Sequence, residues 1–257
     1  LFPDGTQGKV RPDQDPREVF AAWLTAPENT AFARSVVNRV WYWLMGRGIV
    51  QEPDDLRADN PPSNPELLDY LARQFVASHY DLRALYRLIL NSRTYQQSSL
   101  TTTKDPQAEA LFAHYLTRPM EAEVLQDALC RIFQVGVGYT SEVPEPYTYV
   151  PKYQSTVSLA DGSVTSPFLQ TFGRPTRDKG LESDRGNSVT DSQRMYLINS
   201  TDLNTWINRS WNTRTLPAGI GRNPLLTVRY AWLTVLSRYP TPSEERTAQD
   251  ALTSKPG

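Results

Sequence analysis

Apolar residues recur along the chain at helical spacing, in segments separated by polar connections rich in Gly and Pro. Two predicted starts, Asp15-Pro16 and Asn64-Pro65, place a capping side chain before a proline at the first helical position. Other helices are predicted from residue 29 or 30 to 45, after 81, and at about 107–115, 121–134, 166–172, 191–200, 202–209, 224–237 and 243–253. This pattern predicts a mainly α, irregular multi-helix domain.

The helix predicted to end at Met45 carries three consecutive aromatic residues. Its apolar face on a helical wheel consists of Phe32, Val36, Val40, Trp43 and Leu44. Its polar side consists of Arg34, Asn38 and Tyr42, with Arg39 at the boundary. Neighbouring helical residues point about 100° apart, so Trp41, Tyr42 and Trp43 cannot form one stacking platform. We expect Trp43 in the core and Tyr42 on the outside.

The helix predicted at about 121–134 has its own apolar set at helical spacing, namely Val124, Leu125, Ala128, Leu129, Ile132 and Phe133. Glu121 and Glu123 lie in its first turn, where a carboxylate is stabilised by the positive end of the helix dipole.

Composition divides the chain into three kinds of segment. Residues 1–14 are polar and are predicted to be an extended lead-in from a missing upstream region, and 15–257 a single helical domain. Within that domain, about 135–190 is an irregular Gly/Pro-rich insertion, in which Asp161-Gly162 predicts a small β-hairpin. Long loops are usually functional or disordered, so the connection 46–63 and this insertion are where function is expected.

Charge and hydropathy exclude several partners. The net charge is −1, so no basic field exists to attract nucleic acid, and no nucleic-acid partner is expected. No run of 18 apolar residues occurs, and membrane insertion is not expected. Cys130 is the single cysteine, which excludes disulfides within the chain and predicts a small core residue.

Recognisable catalytic and cofactor motifs are absent from the sequence. The two histidines, His79 and His114, have no second ligand at metal spacing, and the stretch DDLRADN lacks the central Gly and closing Glu of a calcium loop. No G-x-S-x-G nucleophile elbow and no G-x-G-x-x-G or Walker-type phosphate loop occurs. The Gly-x-Gly of MGRGIV follows a helix, which is the wrong context for dinucleotide binding. We therefore expect no metal site and no cofactor in this chain.

Paired carboxylates are the only enzymatic chemistry for which the irregular segments supply residues. Asp54, Asp55, Glu182 and Asp184 would serve a glycosidase if two of them lay a few Å apart. Arginine pairing is favoured instead, because it would lower the carboxylate pKa values. The arginines that would form a buried ion-pair network or an anion-binding surface are Arg39, Arg57, Arg93, Arg118, Arg174, Arg177 and Arg185.

A long ordered series of motifs resembles one known family. The motifs are AWLTAPENTAFARSVVNRVWYWLMGRGIVQEPDDLRADNPPSNPELLDYL, RPMEAEVLQDAL, SPFLQTFGRPTRD, DSQRMYLINSTDLN and LTVLSRYPTPSEE. Together they closely resemble the PSD-one domain, a C-terminal domain of unknown function in large proteins of planctomycetes, verrucomicrobia and related bacteria. The resemblance covers nearly the whole chain.

The resemblance implies a context and no chemistry. Such proteins typically carry an export signal, and often a planctomycete cytochrome c domain and a companion domain upstream. It therefore implies an extracytoplasmic location (periplasm or cell surface) and upstream domains of the same polypeptide as partners, with a c-type cytochrome domain among them. No catalytic residues are established for the family, so the resemblance assigns none here.

One departure from the family affects the insertion. Many members carry CECER where this chain has LESDR, so Leu181 and Ser183 stand at the cysteine positions. A thiol-based role of that motif is therefore excluded. The leading hypothesis is a non-catalytic interaction or scaffolding domain that docks a haem-bearing or companion domain, with polysaccharide as another partner. The alternative is an enzyme acting on complex carbohydrate through loop carboxylates.

Overall fold

The computed structural model describes residues 1–101, 103–141, 143–144, 146–147, 149–151, 153–159, 164, 166–175, 185–186, 188–209, 220 and 223–253. Its α-helices are α1 Pro16–Leu24, α2 Thr30–Met45, α3 Pro65–Ala77, α4 Leu82–Leu90, α5 Ala122–Phe133, α6 Pro167–Thr171, α7 Asp191–Asn199, α8 Thr201–Arg209, α9 Pro224–Leu236 and α10 Pro242–Thr253. A single 3₁₀ turn, Thr156–Ser158, is assigned within these ranges. The mainly α prediction is confirmed for the described residues, which contain no strand.

Side-chain caps set the helix boundaries where the sequence predicts them. The Asp15 carboxylate accepts from the N–H of Arg17, and the Asn64 side chain accepts from the N–H of Leu67. Gly46 ends α2 in the left-handed conformation, with φ of 79°, which costs glycine little because it lacks a Cβ. These caps satisfy backbone groups that the helix itself leaves unpaired.

Two compact units make up the chain, and each is described separately. The first includes Leu1–Arg118, and its core lies among α2, α3 and α4. Trp41, Met45, Leu68, Phe75 and Ile89 are almost fully buried there. The predicted single domain over 15–257 stays a prediction.

The second unit is built around α5, which packs against α6 and against the 3₁₀ turn. Phe168 and Phe172 of the α6 region stack with ring centroids 4.4 Å apart, and the Tyr196 ring meets both edge-on. Val164 and Leu169 complete this small core. None of the described helices is long and apolar enough to cross a membrane.

The predicted faces of α2 are wrong at three positions. Trp43 is 39% exposed, whereas Tyr42 and Asn38 are buried, at 8% and 0% exposure. The buried side instead includes Val37 and Trp41, a face displaced from the predicted one. The helical wheel misplaces the buried face of α2 because it ranks Asn38 as polar. In the structure this side chain is buried and makes hydrogen bonds to a loop distant in sequence.

Other predictions need correction or fall outside the described residues. The segment predicted as a helix at 107–115 forms successive turns, and Phe112 takes a φ of 53° while its ring enters the core. The hairpin predicted at Asp161-Gly162 lies outside the described residues. Within the predicted lead-in, Phe2 stacks on Trp23 at 4.7 Å, so this segment packs on α1.

Candidate functional site

The connection 46–63 is held from inside by Asn38. Its amide nitrogen donates to the carbonyls of Val50 at 3.0 Å and Pro53 at 3.1 Å, and its Oδ1 accepts from the N–H of Val50 at 2.9 Å. Ser63 donates to the Ile49 carbonyl through both N–H and hydroxyl. A buried side chain thus replaces the secondary structure that this loop lacks.

Both predicted site acids of this connection, Asp54 and Asp55, face arginines. Asp54 pairs with Arg39, and Asp55 accepts two parallel bonds from Arg57, at 2.7 and 2.8 Å. The Arg57 hydrogen bond lowers the pKa of the Asp55 carboxyl, so this group stays ionised at neutral pH. A glycosidase acid needs a raised pKa, which Asp55 does not have.

The other predicted arginines of the first unit, Arg93 and Arg118, form no ion pair with Asp54 or Asp55. Arg118 donates to the carbonyls of Tyr42 and Trp43 in the last turn of α2, and the Tyr42 carbonyl also accepts from the N–H of Gly46. Arg93 lies exposed in the turn after α4. The predicted arginines therefore serve separate local purposes here.

In the second unit a buried carboxylate binds two of the predicted arginines. Glu123 of α5 is 7% exposed, and its oxygens lie 3.4 Å from Arg174 Nε and 3.1 Å from Arg185 Nη1. The Arg174 side chain is itself 7% exposed, and that of Arg185 is 29% exposed. We call this set, Glu123 with Arg174 and Arg185, the Glu123 clamp.

Backbone geometry brings the two arginines of the clamp together. Gly173 takes a φ of 96°, and its carbonyl accepts from the N–H of Gly186 at 3.0 Å. A Cβ at Gly173 would overlap the Gly186 carbonyl, so only glycine permits this approach. The arginines follow and precede these glycines directly, and the crossing therefore aims both at Glu123.

An open groove of about 1110 Å³ lies beside α5 in the same unit. Its walls come from α5, the chain after it, the residues around the 3₁₀ turn, and α8. The lining side chains with chemical character are Asp127, Cys130, Arg131, Tyr139, Tyr153, Trp206 and Arg209. None of these was a predicted site residue, and Cys130, expected in the core, lines the groove and is half-buried.

Asp127 is a structural acid in this groove. Its carboxylate accepts from the Ser155 hydroxyl, from the N–H of Thr156 at 2.7 Å and from that of Val157 at 3.1 Å. Burial alone would raise the pKa of Asp127, but these hydrogen bonds together lower it. The acid therefore caps the 3₁₀ turn and stays ionised.

Two further groups of the groove are poor acids. Burial raises the pKa of the Cys130 thiol, so little thiolate forms at neutral pH. Burial also raises the pKa of Tyr139, whose hydroxyl shares a 2.6 Å hydrogen bond with that of Thr156. These groups stay neutral, which favours binding over nucleophilic chemistry.

The remaining predicted site residues are Arg177, Glu182 and Asp184, which lie outside the described residues. The predicted meeting of connection 46–63 with the 174–185 segment stays a prediction. No group of three or more His, Cys, Asp or Glu residues that could hold a metal ion occurs in the described part of the chain.

Comparison with known proteins gives a family and no function. The arrangement defines a helical protein with a buried ion-pair clamp and an adjoining groove. A family model, PSD1, described as a protein of unknown function (DUF1553), matches residues 16–252, and the chain belongs to this family. Neither the curated proteins nor the solved structures contain a match.

Replacing Asp127 by Asn is expected to destabilise the second unit by about 1 kcal/mol at pH 7. The carboxylate accepts three hydrogen bonds, whereas the asparagine amide is neutral and has an NH₂ donor in place of one acceptor oxygen. The lowered pKa means that the ionised form stabilises the fold above about pH 4 and loses that effect as pH falls through the folded pKa. Urea unfolding of both proteins from pH 7 to 3 should show their difference shrinking with acid. A difference independent of pH would contradict the assignment.

Proposed function

We propose that this chain is a non-catalytic binding domain, and that the groove beside α5 is its binding site. The observation that supports this most directly is that the acid of the groove is hydrogen-bonded within the protein, whereas its arginines are exposed. Asp127 is engaged by the 3₁₀ turn, whereas Arg131 and Arg209 are exposed and lie outside ion-pair distance of any described carboxylate. Among the described lining residues, cations and rings but no available acid face the ligand space.

The aromatic residues of the groove support a binding role. Tyr153 is 68% exposed, and its ring lies over the backbone of Gly136, where a Cβ would overlap it. Trp206 is half-buried on α8 and lines the same groove. Rings that are held in place but still accessible supply contact area at a small entropic cost.

The alternative, an enzyme acting on complex carbohydrate, receives less support. Asp54 and Asp55 each face an arginine, and the pKa of Asp55 is lowered where a general acid needs a raised one. Glu182 and Asp184 remain its only other predicted acids. Hydrolysis of a polysaccharide that Asp55→Asn abolishes would establish this alternative against our proposal.

The wider setting that we propose rests on the family resemblance. In that setting the chain works outside the cytoplasm, as part of a multidomain planctomycete-type protein, beside a companion or c-type cytochrome domain. The chain itself would carry no cofactor. Export of a reporter by the first residues of the full-length protein, and haem staining of that protein, would test this setting.

Binding is tested with two kinds of partner. The purified chain would be titrated with the separately produced upstream region of the same polypeptide and with immobilised polysaccharides. We expect at least one interaction that Trp206→Ala weakens and Trp43→Ala, a partly exposed tryptophan of the first unit, leaves unchanged. Absence of binding to either kind of partner would contradict the proposal.

The single thiol reports on the groove even before a ligand is known. Because burial raises its pKa, Cys130 should react with iodoacetamide at pH 8 several-fold more slowly in the folded chain than in urea. The folded rate should still be measurable, because the side chain lines an open groove. A folded rate equal to the unfolded one, measured by mass spectrometry, would show that the thiol is not shielded as described.

A further inference from the structure

We infer that the ligand of the groove is an acidic polysaccharide, bound through carboxylate or sulfate groups on consecutive sugars. This inference rests on the proposed binding function and names the class of ligand. It draws on the charge of the groove, on its aromatic surfaces and on its size.

The charge of the groove favours an anion. Three of its described lining residues are charged, Asp127, Arg131 and Arg209, which leaves one net positive charge. The negative charge is directed into the Ser155–Val157 donors, whereas the guanidinium groups are exposed. Arginine binds carboxylate and sulfate oxygens through its planar set of donors, and this chemistry suits both kinds of acidic sugar.

The aromatic surfaces favour sugars over acidic peptides. Tyr153 and Trp206 line the same groove as the arginines, so that an anionic group and an apolar ring face meet one ligand. A pyranose ring offers this combination in each unit, with C–H groups on its face and hydroxyl or acidic groups at its edge. An acidic peptide matches the arginines but has no flat apolar face beside each charge.

The size of the groove favours a polymer. Its volume of about 1110 Å³ is at the upper end of the range of about 300–1,000 Å³ that is usual for small-molecule sites, so it has room for more than one sugar unit. Its arginines come from different helices, Arg131 from α5 and Arg209 from the end of α8. Two cations on separate walls can bind charges on different units of a chain that runs along the groove.

The test is a titration of the full chain with matched polymers. Polygalacturonate carries carboxylates and dextran sulfate carries sulfates, and the neutral controls are fully methyl-esterified polygalacturonate and plain dextran. We expect one or both acidic polymers to bind at least about tenfold more tightly than their neutral counterparts, with an affinity that falls as salt rises. The two acidic arms identify which anion the groove prefers.

Variants of the lining residues test whether the polymers bind in the groove. Arg131→Ala and Arg209→Ala should each weaken binding about tenfold, and Trp206→Ala should weaken it similarly, whereas Arg87→Ala, an exposed helical arginine of the first unit, should have no effect. Because Trp206 is half-buried, circular dichroism must show that its variant is folded, and the exposed arginines provide the test if it is not.

Three outcomes would overturn the inference. Equal binding of acidic and neutral polymers would exclude recognition of charge, and binding of polyglutamate with the same sensitivity to the arginine variants would make the ligand a peptide. Absence of polysaccharide binding would also overturn it. The proposed binding function would survive each of these if the upstream region binds the chain and Trp206→Ala weakens that interaction.

Discussion

Replacing Glu123 by Gln is expected to destabilise the second unit by about 3–5 kcal/mol, since removing the acid of a buried ion pair is strongly destabilising. Arg174 is 8% exposed and loses an ion-pair contact at 3.4 Å, and Arg185 loses a contact at 3.1 Å. Glutamine keeps the shape of the side chain, so the effect reports the charge and not a cavity. The change should appear as a lower midpoint in urea unfolding followed by circular dichroism.

The matched control is Glu121→Gln, which removes the same charge two residues earlier. Glu121 is the exposed N-cap residue of α5 and makes no side-chain cap hydrogen bond, so its replacement should change stability by less than about 0.5 kcal/mol. Adding Arg174→Met to the Glu123→Gln variant should recover part of the loss, because it removes a buried cation that has lost the Glu123 carboxylate. Equal stability of the wild type and the Glu123→Gln variant would show that the clamp contributes nothing.

Replacing Asn38 by Leu is expected to destabilise the first unit by about 3 kcal/mol. The variant removes the partners of the Val50 N–H and of the Val50 and Pro53 carbonyls, and an unmade buried hydrogen bond costs about 1–3 kcal/mol. Leucine is more apolar than asparagine, so a gain in stability would be the naive expectation for a fully buried site. The sign of the change therefore distinguishes the two accounts.

Asn60→Ala is the comparison for Asn38, because it removes a single hydrogen bond to the Asp55 carbonyl at 2.8 Å in the same connection. We expect it to cost about 1 kcal/mol. Hydrogen exchange should also show faster exchange at the N–H of Val50 in Asn38→Leu than in Asn60→Ala. A variant Asn38→Leu at least as stable as wild type would contradict the role of this side chain.

The helices could be predicted because their signals are local. Asp15 and Asn64 bind backbone groups within three residues, and Gly46 lies directly after the helix that it ends. The burial of Asn38 could not be predicted, because its partners lie 12 and 15 residues away in a loop without periodicity. A hydropathy wheel scores a side chain by type, whereas burial follows from its tertiary partners.

The clamp was predicted on one side only. Arg174 and Arg185 belong to the predicted polar cluster, whereas the position of Glu123 in the first turn of α5 is favourable even without an ion-pair partner. Burial in α5 also departs from hydropathy, since the predicted apolar residue Val124 is 42% exposed while Gln126 and Glu123 are buried. The crossing at Gly173 and Gly186 depends on φ, which the sequence does not display.

The groove was missed for a related reason. Its residues come from segments that are far apart in sequence, from Asp127 on α5 to Arg209 on α8. These residues do not form a short sequence motif. The sequence predicts Cys130 in the core, because a lone cysteine among apolar residues usually lies there. Only the packing of the second unit brings this thiol, Tyr153 and Trp206 to one surface.

The alkylation rate of Cys130 in the presence of a bound partner tests the central claim most directly. The partner is whichever of polygalacturonate, dextran sulfate or the proposed upstream region binds the chain, used at saturating concentration. If the groove is the binding site, the rate should fall at least about tenfold, and an equal concentration of a non-binding polymer should leave it unchanged. An unchanged rate while the partner is bound would contradict the assignment of the groove.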